Sequence, residues 1–161
     1  MSEDFKEFLR REAEKRQGEA KANEGLVEEW RAAVERLFQQ IRAWLKQSDP
    51  NGVIEIKEGE HVITETGLGR YRVPRLDLDF FGKWIGIIPK ARGRVATASP
   101  PRKSAPGRAI GRVDITDELI RYVLYRFQED EGEVWLVDDL NLPPKPLTQE
   151  VFEKAIMSYL L

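Results

Sequence analysis

The sequence predicts an α+β fold: a mostly antiparallel, twisted sheet packed against a long helix in the N-terminal half and a second helix at the C-terminal end. Three observations carry this. From Asn23 to Gln47 the apolar residues recur at helical spacing. From Val53 to Val137 the period falls to two, in short runs separated by glycine and proline. After three prolines, the last fourteen residues return to helical spacing.

The long helix is the element the rest must cover. Leu26, Val27, Trp30, Ala33, Val34, Leu37, Phe38, Ile41, Trp44 and Leu45 form one stripe, and two tryptophans and a phenylalanine on it demand a large apolar partner. Asn23 suits an N-cap, and Ser48-Asp49-Pro50-Asn51-Gly52 is a strong stop. Ahead of it, residues 2–16 have the pattern of a short helix with Phe5, Phe8 and Leu9 on one face, fading into a polar run. The chain thus divides into an N-terminal arm or short helix, 1–22, and a single domain, 23–161.

Strand signals follow in order. Val53–Lys57 and Glu60–Thr64 flank Glu58-Gly59, which reads as a hairpin turn; its register decides whether His61 lies beside Glu55 or Ile56. Gly67-Leu68-Gly69 marks the next turn. The apolar phase switches at Pro74, from Tyr71 and Val73 to Leu76, Leu78 and Phe80, which predicts a bulge or strand break. Lys83–Ile88 is nearly all apolar and reads as a central strand covered on both faces. Residues 89–108 read as a long basic loop, with room for a short strand at Arg94–Thr97, and Ala109–Ile115 as the next strand. Leu119–Phe127 fits a helix or a strand; the glycine-ended turn before Val134–Val137 favours a hairpin in which Phe127 faces Trp135 and Tyr125 faces Val137. Arg126 and Asp138 then share the other face. Thr148 caps the last helix, with Leu147 packing on Phe152 as a hydrophobic staple.

Composition limits function. The chain has 161 residues, 41% apolar and 34% charged, which suits one soluble globular domain. There is no cysteine, so disulfides, thiolate metal sites and cysteine nucleophiles are excluded. The single histidine, His61, excludes a multi-histidine metal site. No run has the length of a membrane span and the N-terminus lacks a signal-type apolar core, so the expected location is cytoplasmic and no membrane is involved.

Charge is distributed unevenly. From Phe80 to Val113 there are eight basic residues and no acid, while the rest of the chain holds 18 basic and 28 acidic residues. Within segment 83–112, Arg92, Arg94, Arg102, Lys103 and Arg108 are the candidate contacts for a phosphate-bearing or acidic partner. The segment lacks the aromatics that stack on single-stranded bases.

Other groupings are thinner. Glu55-Ile56-Lys57 has the spacing of a metal-nuclease strand, yet no acid stands on a preceding strand. Asp77 and Asp79 share a strand face and Asp138-Asp139 end another, but nothing in the sequence brings them together. Gly67-Leu68-Gly69 lacks the rest of a dinucleotide fingerprint. No cofactor or catalytic set is expected. The leading expectation is a non-catalytic interaction module that binds a protein partner or a second copy of itself, with Phe5, Phe8 and Leu9 as a docking arm. The alternative is nucleic-acid or other polyanion binding through 83–112, and the third reading is a carboxylate-dependent enzyme.

Overall fold

A single helix, α1 (Ser2–Ser48), runs unbroken for 47 residues, about 70 Å at the usual rise. The computed structural model describes residues 2–92, 109–119, 121–139 and 143–161. The helix therefore does not begin at Asn23, and residues 2–16 are not a separate element. Asn23 serves a tertiary contact instead of a cap: its side-chain amide donates to the Gly67 carbonyl at 2.7 Å. At the other end the stop works as the sequence implies. The Asp49 carboxylate accepts the Val53 and Ile54 amides, both at 2.8 Å, and Gly52 takes a left-handed φ of 66°.

Among the described residues the sheet has seven strands in sequential order, each antiparallel to the next: β1 (Glu55–Glu65), β2 (Gly69–Phe80), β3 (Lys83–Ala91), β4 (Gly111–Thr116), β5 (Arg121–Glu129), β6 (Gly132–Asp138) and β7 (Lys145–Pro146). Helix α2 (Gln149–Ser158) follows, with the Thr148 hydroxyl accepting the Val151 amide at 3.2 Å. The expected α+β architecture with two helices and an antiparallel sheet is what the chain adopts.

Both helices lie on one face. Trp30, Val34, Leu37, Phe38 and Ile41 of α1 share a buried cluster with Phe152 and Ile156 of α2 and with Leu76, Ile85, Ile87, Ile115 and Leu124 of the sheet. Leu147 packs against the same cluster. On the other side of the sheet Ala109, Val123, Tyr125, Phe127 and Leu136 form a second buried cluster. That leaves β3 and β5 buried along most of their length, as the nearly continuous apolar run of β3 requires.

Three expectations about pairing are corrected. Glu58-Gly59 is not a turn: β1 continues through it, paired residue by residue with β2, and Gly59 stands opposite Arg75. Pro74 neither bulges nor breaks β2; it pairs with Glu60 in an uninterrupted ladder. The phase switch is nonetheless real, because Tyr71 and Val73 and then Leu76, Leu78 and Phe80 are all buried. Strand β1 changes phase at the same rung, with Ile56 and then Ile63 packed into the core cluster. Two strands that turn together keep their register, and a two-stranded ribbon twists more readily than a full sheet.

The third correction concerns β5 and β6. Arg126 pairs with Trp135, Tyr125 with Leu136 and Phe127 with Val134, one residue away from the expected register. Cross-strand partners share a face. Trp135 therefore faces α1, its ring 6.2 Å from that of Trp30, and does not meet Phe127. Arg126 moves to the helix side and Asp138, opposite Val123, to the other. Strand β3 also extends to Ala91, so residues 89–91 belong to it and not to the expected loop.

Removing residues 1–22 is expected to leave the fold intact. Val27 is the first buried side chain of α1, and Asn23 is well placed to become the new cap. Urea unfolding of the truncated chain should differ from that of the full chain by less than about 1 kcal/mol. A loss of several kcal/mol would mean that the arm packs on the body.

Candidate functional site

The first part of α1 stands clear of the body. Every described side chain from Asp4 to Leu26 is exposed except Glu12 and Asn23, which are half-buried. From Ser2 to Ala22 the helix extends about 30 Å. Near its end Phe5, Phe8 and Leu9 are 63%, 50% and 50% exposed, a concentration of apolar surface that an isolated helix does not hide. Ion pairs along the arm hold the helix: Arg10 with Glu7 and Glu14, and Arg16 with Glu12. The three residues expected to form a docking arm are thus brought together on one exposed helical segment.

At the base of the arm, Asn23, Val27, Arg31, Leu68, Arg70 and Tyr71 line an open cleft between α1 and the β1–β2 turn. Arg31 fixes the cleft by donating to the Arg72 carbonyl at 2.6 Å. On the other flank of α1, in the seam with β5 and β6, lies a charged network that the sequence did not reveal. Arg126, 1% exposed, donates through Nη1 and Nη2 to Glu29 of α1 at 2.8 and 2.5 Å, and through Nε to Glu133 of β6 at 2.6 Å. Arg36 reaches the same Glu133 at 3.0 Å. The hydrogen bond from Arg126 holds the Glu29 carboxyl below its ordinary range, against the opposing effect of its partial burial. A carboxylate tied in this way is a poor proton acceptor, so the network stabilises the seam and offers no general base.

Nearby, Tyr71 donates its hydroxyl to Glu65, which also accepts the Arg92 backbone amide at 3.0 Å. Burial and this contact push the Tyr71 phenol far above its ordinary value. The Arg92 guanidinium contributes to holding Glu29 ionised. The only sequence signal for this seam is a lone cation in the apolar run Val123-Leu124-Tyr125-Arg126-Phe127. Its partners are 97 residues away in α1 and seven away in β6, and only the register identifies them.

Of the expected anion contacts, Arg92 sits in this seam, while Arg94, Arg102, Lys103 and Arg108 lie outside the described residues, as do most of loop 89–108 and the strand expected at Arg94–Thr97. Two other cations of segment 83–112 are already engaged: Lys83 pairs with Asp117 at 3.1 Å, and Arg112 with the buried Asp114 at 2.8 Å.

His61 pairs with Val73 and is not beside Glu55, which stands opposite Asp79. Burial, followed by Lys90 and Arg75, lowers the His61 pKa and favours the neutral ring. Asp77 lies opposite Lys57 and accepts from Arg75 and from the Trp84 indole, each at 2.7 Å. Burial alone would raise the Asp77 pKa, but these bonds outweigh it and the value is lowered. Asp77 and Asp79 on β2 are separated by β3, β4 and β5 from Asp138 on β6. Among the described residues no group of acids and histidines is arranged to hold a metal ion.

A second display of apolar side chains was not foreseen. At the β2–β3 turn Phe81 is 83% exposed with φ 52°, and Leu119, after Glu118 at φ 81°, is 90% exposed. The two turns lie at the same end of the sheet, where the Lys83–Asp117 pair joins them. Positive φ at bulky residues stores strain of about 1–3 kcal/mol each.

No protein-family model, curated protein or solved structure matches the chain.

The seam carries a pH signature. Glu29 has a lower pKa folded than unfolded, so the unfolded chain takes up the proton first. Its contribution is complete above the ordinary carboxylate value and is lost as pH falls through the lowered one. Melting temperatures measured between neutral and strongly acidic pH should fall less steeply for Glu29→Gln than for the natural chain, the two curves converging at the acid end. Parallel curves would remove Glu29 from the acid response.

Proposed function

We propose that the protein is a non-catalytic interaction module that presents the projecting part of α1 to a protein partner. The observation that carries this is a helical segment of about six turns, outside the core, with Phe5, Phe8 and Leu9 exposed together near its end. Maintaining such a patch in water is unfavourable, and covering it on a partner is the economical explanation. The body supplies a rigid base: Asn23 and Arg31 fasten the root of the arm to the β1–β2 ribbon. No helix is long and apolar enough to cross a membrane among the described residues. A cytoplasmic setting belongs to the same proposal.

The test is retention on immobilised protein. The natural chain and a Phe5→Ser/Phe8→Ser/Leu9→Ser variant are compared for capture of their own chain and of other proteins, with melting curves recorded for both. Capture by the natural chain alone, at equal stability, supports the reading. Equal capture by both, or none by either, sinks it.

Polyanion binding through segment 83–112 is the second reading, carried by its charge. It loses ground because Lys83 and Arg112 are paired within the body. If Arg92, Arg94, Arg102, Lys103 and Arg108 together neutralise up to five phosphates of a duplex, log K should fall with log salt at a slope of about −4 to −5. Titration with labelled duplex at low and moderate salt is expected to show no strong binding. A slope in that range, abolished by changing the five residues to Glu, would restore the polyanion reading.

A further inference from the structure

The geometry points to a second copy of this chain as the partner of the arm, the two arms lying antiparallel with Phe8 and Leu9 of one against the same residues of the other and Phe5 beside them, level with Glu12. This rests on the reading of α1 as a docking arm and adds the identity and orientation of what docks.

Helical phase comes first. Leu9 precedes the buried Val27 by 18 residues, or about five turns, and Phe5 precedes it by 22, or about six. Phe8 stands the same six turns before the buried Trp30. The exposed patch thus continues the side of α1 that packs on the sheet. Between Leu9 and Val27 that side carries Glu12, Arg16 and Asn23. Apolar contact is therefore confined to the outer part of the arm, and a partner needs only a short patch of the same kind. The arm of a second copy is such a patch, and self-complementary contact of one surface with itself is the usual form of a two-fold dimer.

Charge then selects the orientation. At about 100° per residue, Asp4, Arg11 and Lys15 fall along the flank of the strip that carries Phe8. All three are exposed. Parallel arms would turn this flank of one copy toward the Leu9 side of the other, so that Asp4 would meet neither Arg11 nor Lys15. Antiparallel arms, with the two-fold axis between Phe8 and Leu9, set Asp4 of each copy between Arg11 and Lys15 of the other. Flanking charges of this kind fix partner and orientation in paired helices. Glu7, Arg10 and Glu14 lie on the far side of the arm, so their ion pairs remain in the dimer. Three apolar side chains per copy make a small interface, and the association is accordingly weak and concentration-dependent.

The full chain is examined by sedimentation equilibrium from about 1 to about 200 µM, a range that brackets weak association. The expected result is a monomer–dimer equilibrium, with Phe8→Glu weakening it at least about tenfold, as for a central apolar anchor. Its melting curve should not change. Asp4→Lys alone and Arg11→Glu/Lys15→Glu alone should each weaken the dimer, and an equal mixture of the two variants should associate more tightly than either. The chain has no cysteine, so a single Glu12→Cys reports orientation. Antiparallel arms hold the two introduced thiols about 10 Å apart along the axis, whereas parallel arms bring them together. A monomer at the highest concentration overturns the proposal, and so do efficient Glu12→Cys cross-linking or charge variants without effect. If the monomer still captures another protein through Phe5, Phe8 and Leu9, the docking-arm reading survives alone. If the arm binds only anionic phospholipid vesicles, both readings fall.

Discussion

Truncating Trp30 to alanine is expected to cost about 3–5 kcal/mol, the usual range for a fully buried large aromatic. Trp30 is completely buried where α1 crosses the sheet, and its ring lies over Gly111 of β4. A Cβ added at Gly111 would come within 2.4 Å of the indole, closer than any real contact. Glycine is what lets the ring approach the strand, and Trp135 closes the other side at 6.2 Å. Alanine at position 30 leaves a void that rigid neighbours on both sides cannot fill. The same geometry predicts coupling. Gly111→Ala alone should destabilise by about 1–3 kcal/mol through overpacking, and nearly nothing in the Trp30→Ala background, since the clash has gone. Urea melts of the four proteins in that cycle provide the check. Additive costs would show that the ring does not rest on Gly111.

Breaking the Arg126 network by Arg126→Ala is expected to cost a similar amount, about 3–5 kcal/mol. The guanidinium satisfies two carboxylates at once and is itself almost wholly removed from water. Its loss leaves a cavity beside α1 and removes the cation that stands between Glu29 and Glu133, although Arg36 still pairs with Glu133 and the Trp135 indole still donates to it. Replacing the whole set, Arg126→Met with Glu29→Leu and Glu133→Leu, should restore most of the stability, because an apolar cluster of similar volume avoids the desolvation penalty. If the single change is neutral, the three groups do not meet as described. If the triple change is as damaging as the single one, the network stabilises the seam by more than charge compensation.

How much of this was legible in the sequence depends on the distance over which each feature is decided. Leu26 apart, which is exposed, the α1 stripe packs as the sequence predicts, and so do the stop at Asp49, the Thr148 cap, the turn at Gly67–Gly69 and the apolar β3. Each follows from residues within a few positions of one another: periodicity, a proline, a capping hydroxyl, two glycines with positive φ. Phe5, Phe8 and Leu9 were likewise visible as a patch.

Features that depend on a remote partner were misread. Glu58-Gly59 has the composition of a turn, yet eleven rungs of pairing with β2 outweigh that local preference. Asn23 suits a cap, yet the helix passes through it, and its side-chain amide donates to the carbonyl of Gly67, 44 residues away. The β5–β6 register missed by one residue, and one residue was enough to carry Arg126 and Asp138 to opposite faces and Trp135 from Phe127 to Trp30. The charged seam between α1, β5 and β6 was invisible for the same reason, since Glu29 and Arg126 acquire a relation only when the helix is laid across the sheet.

By itself, then, the amino-acid order determined the class of fold, most apolar faces and the apolar patch of the arm, because hydrophobic period and backbone preference act locally. Register, helix continuity and the pairing of buried charges were decided only in the tertiary structure. Those choices differ by single-residue shifts that local propensity scarcely distinguishes, and it is the burial of Trp30, Trp135 and Arg126 against their partners that separates them in energy.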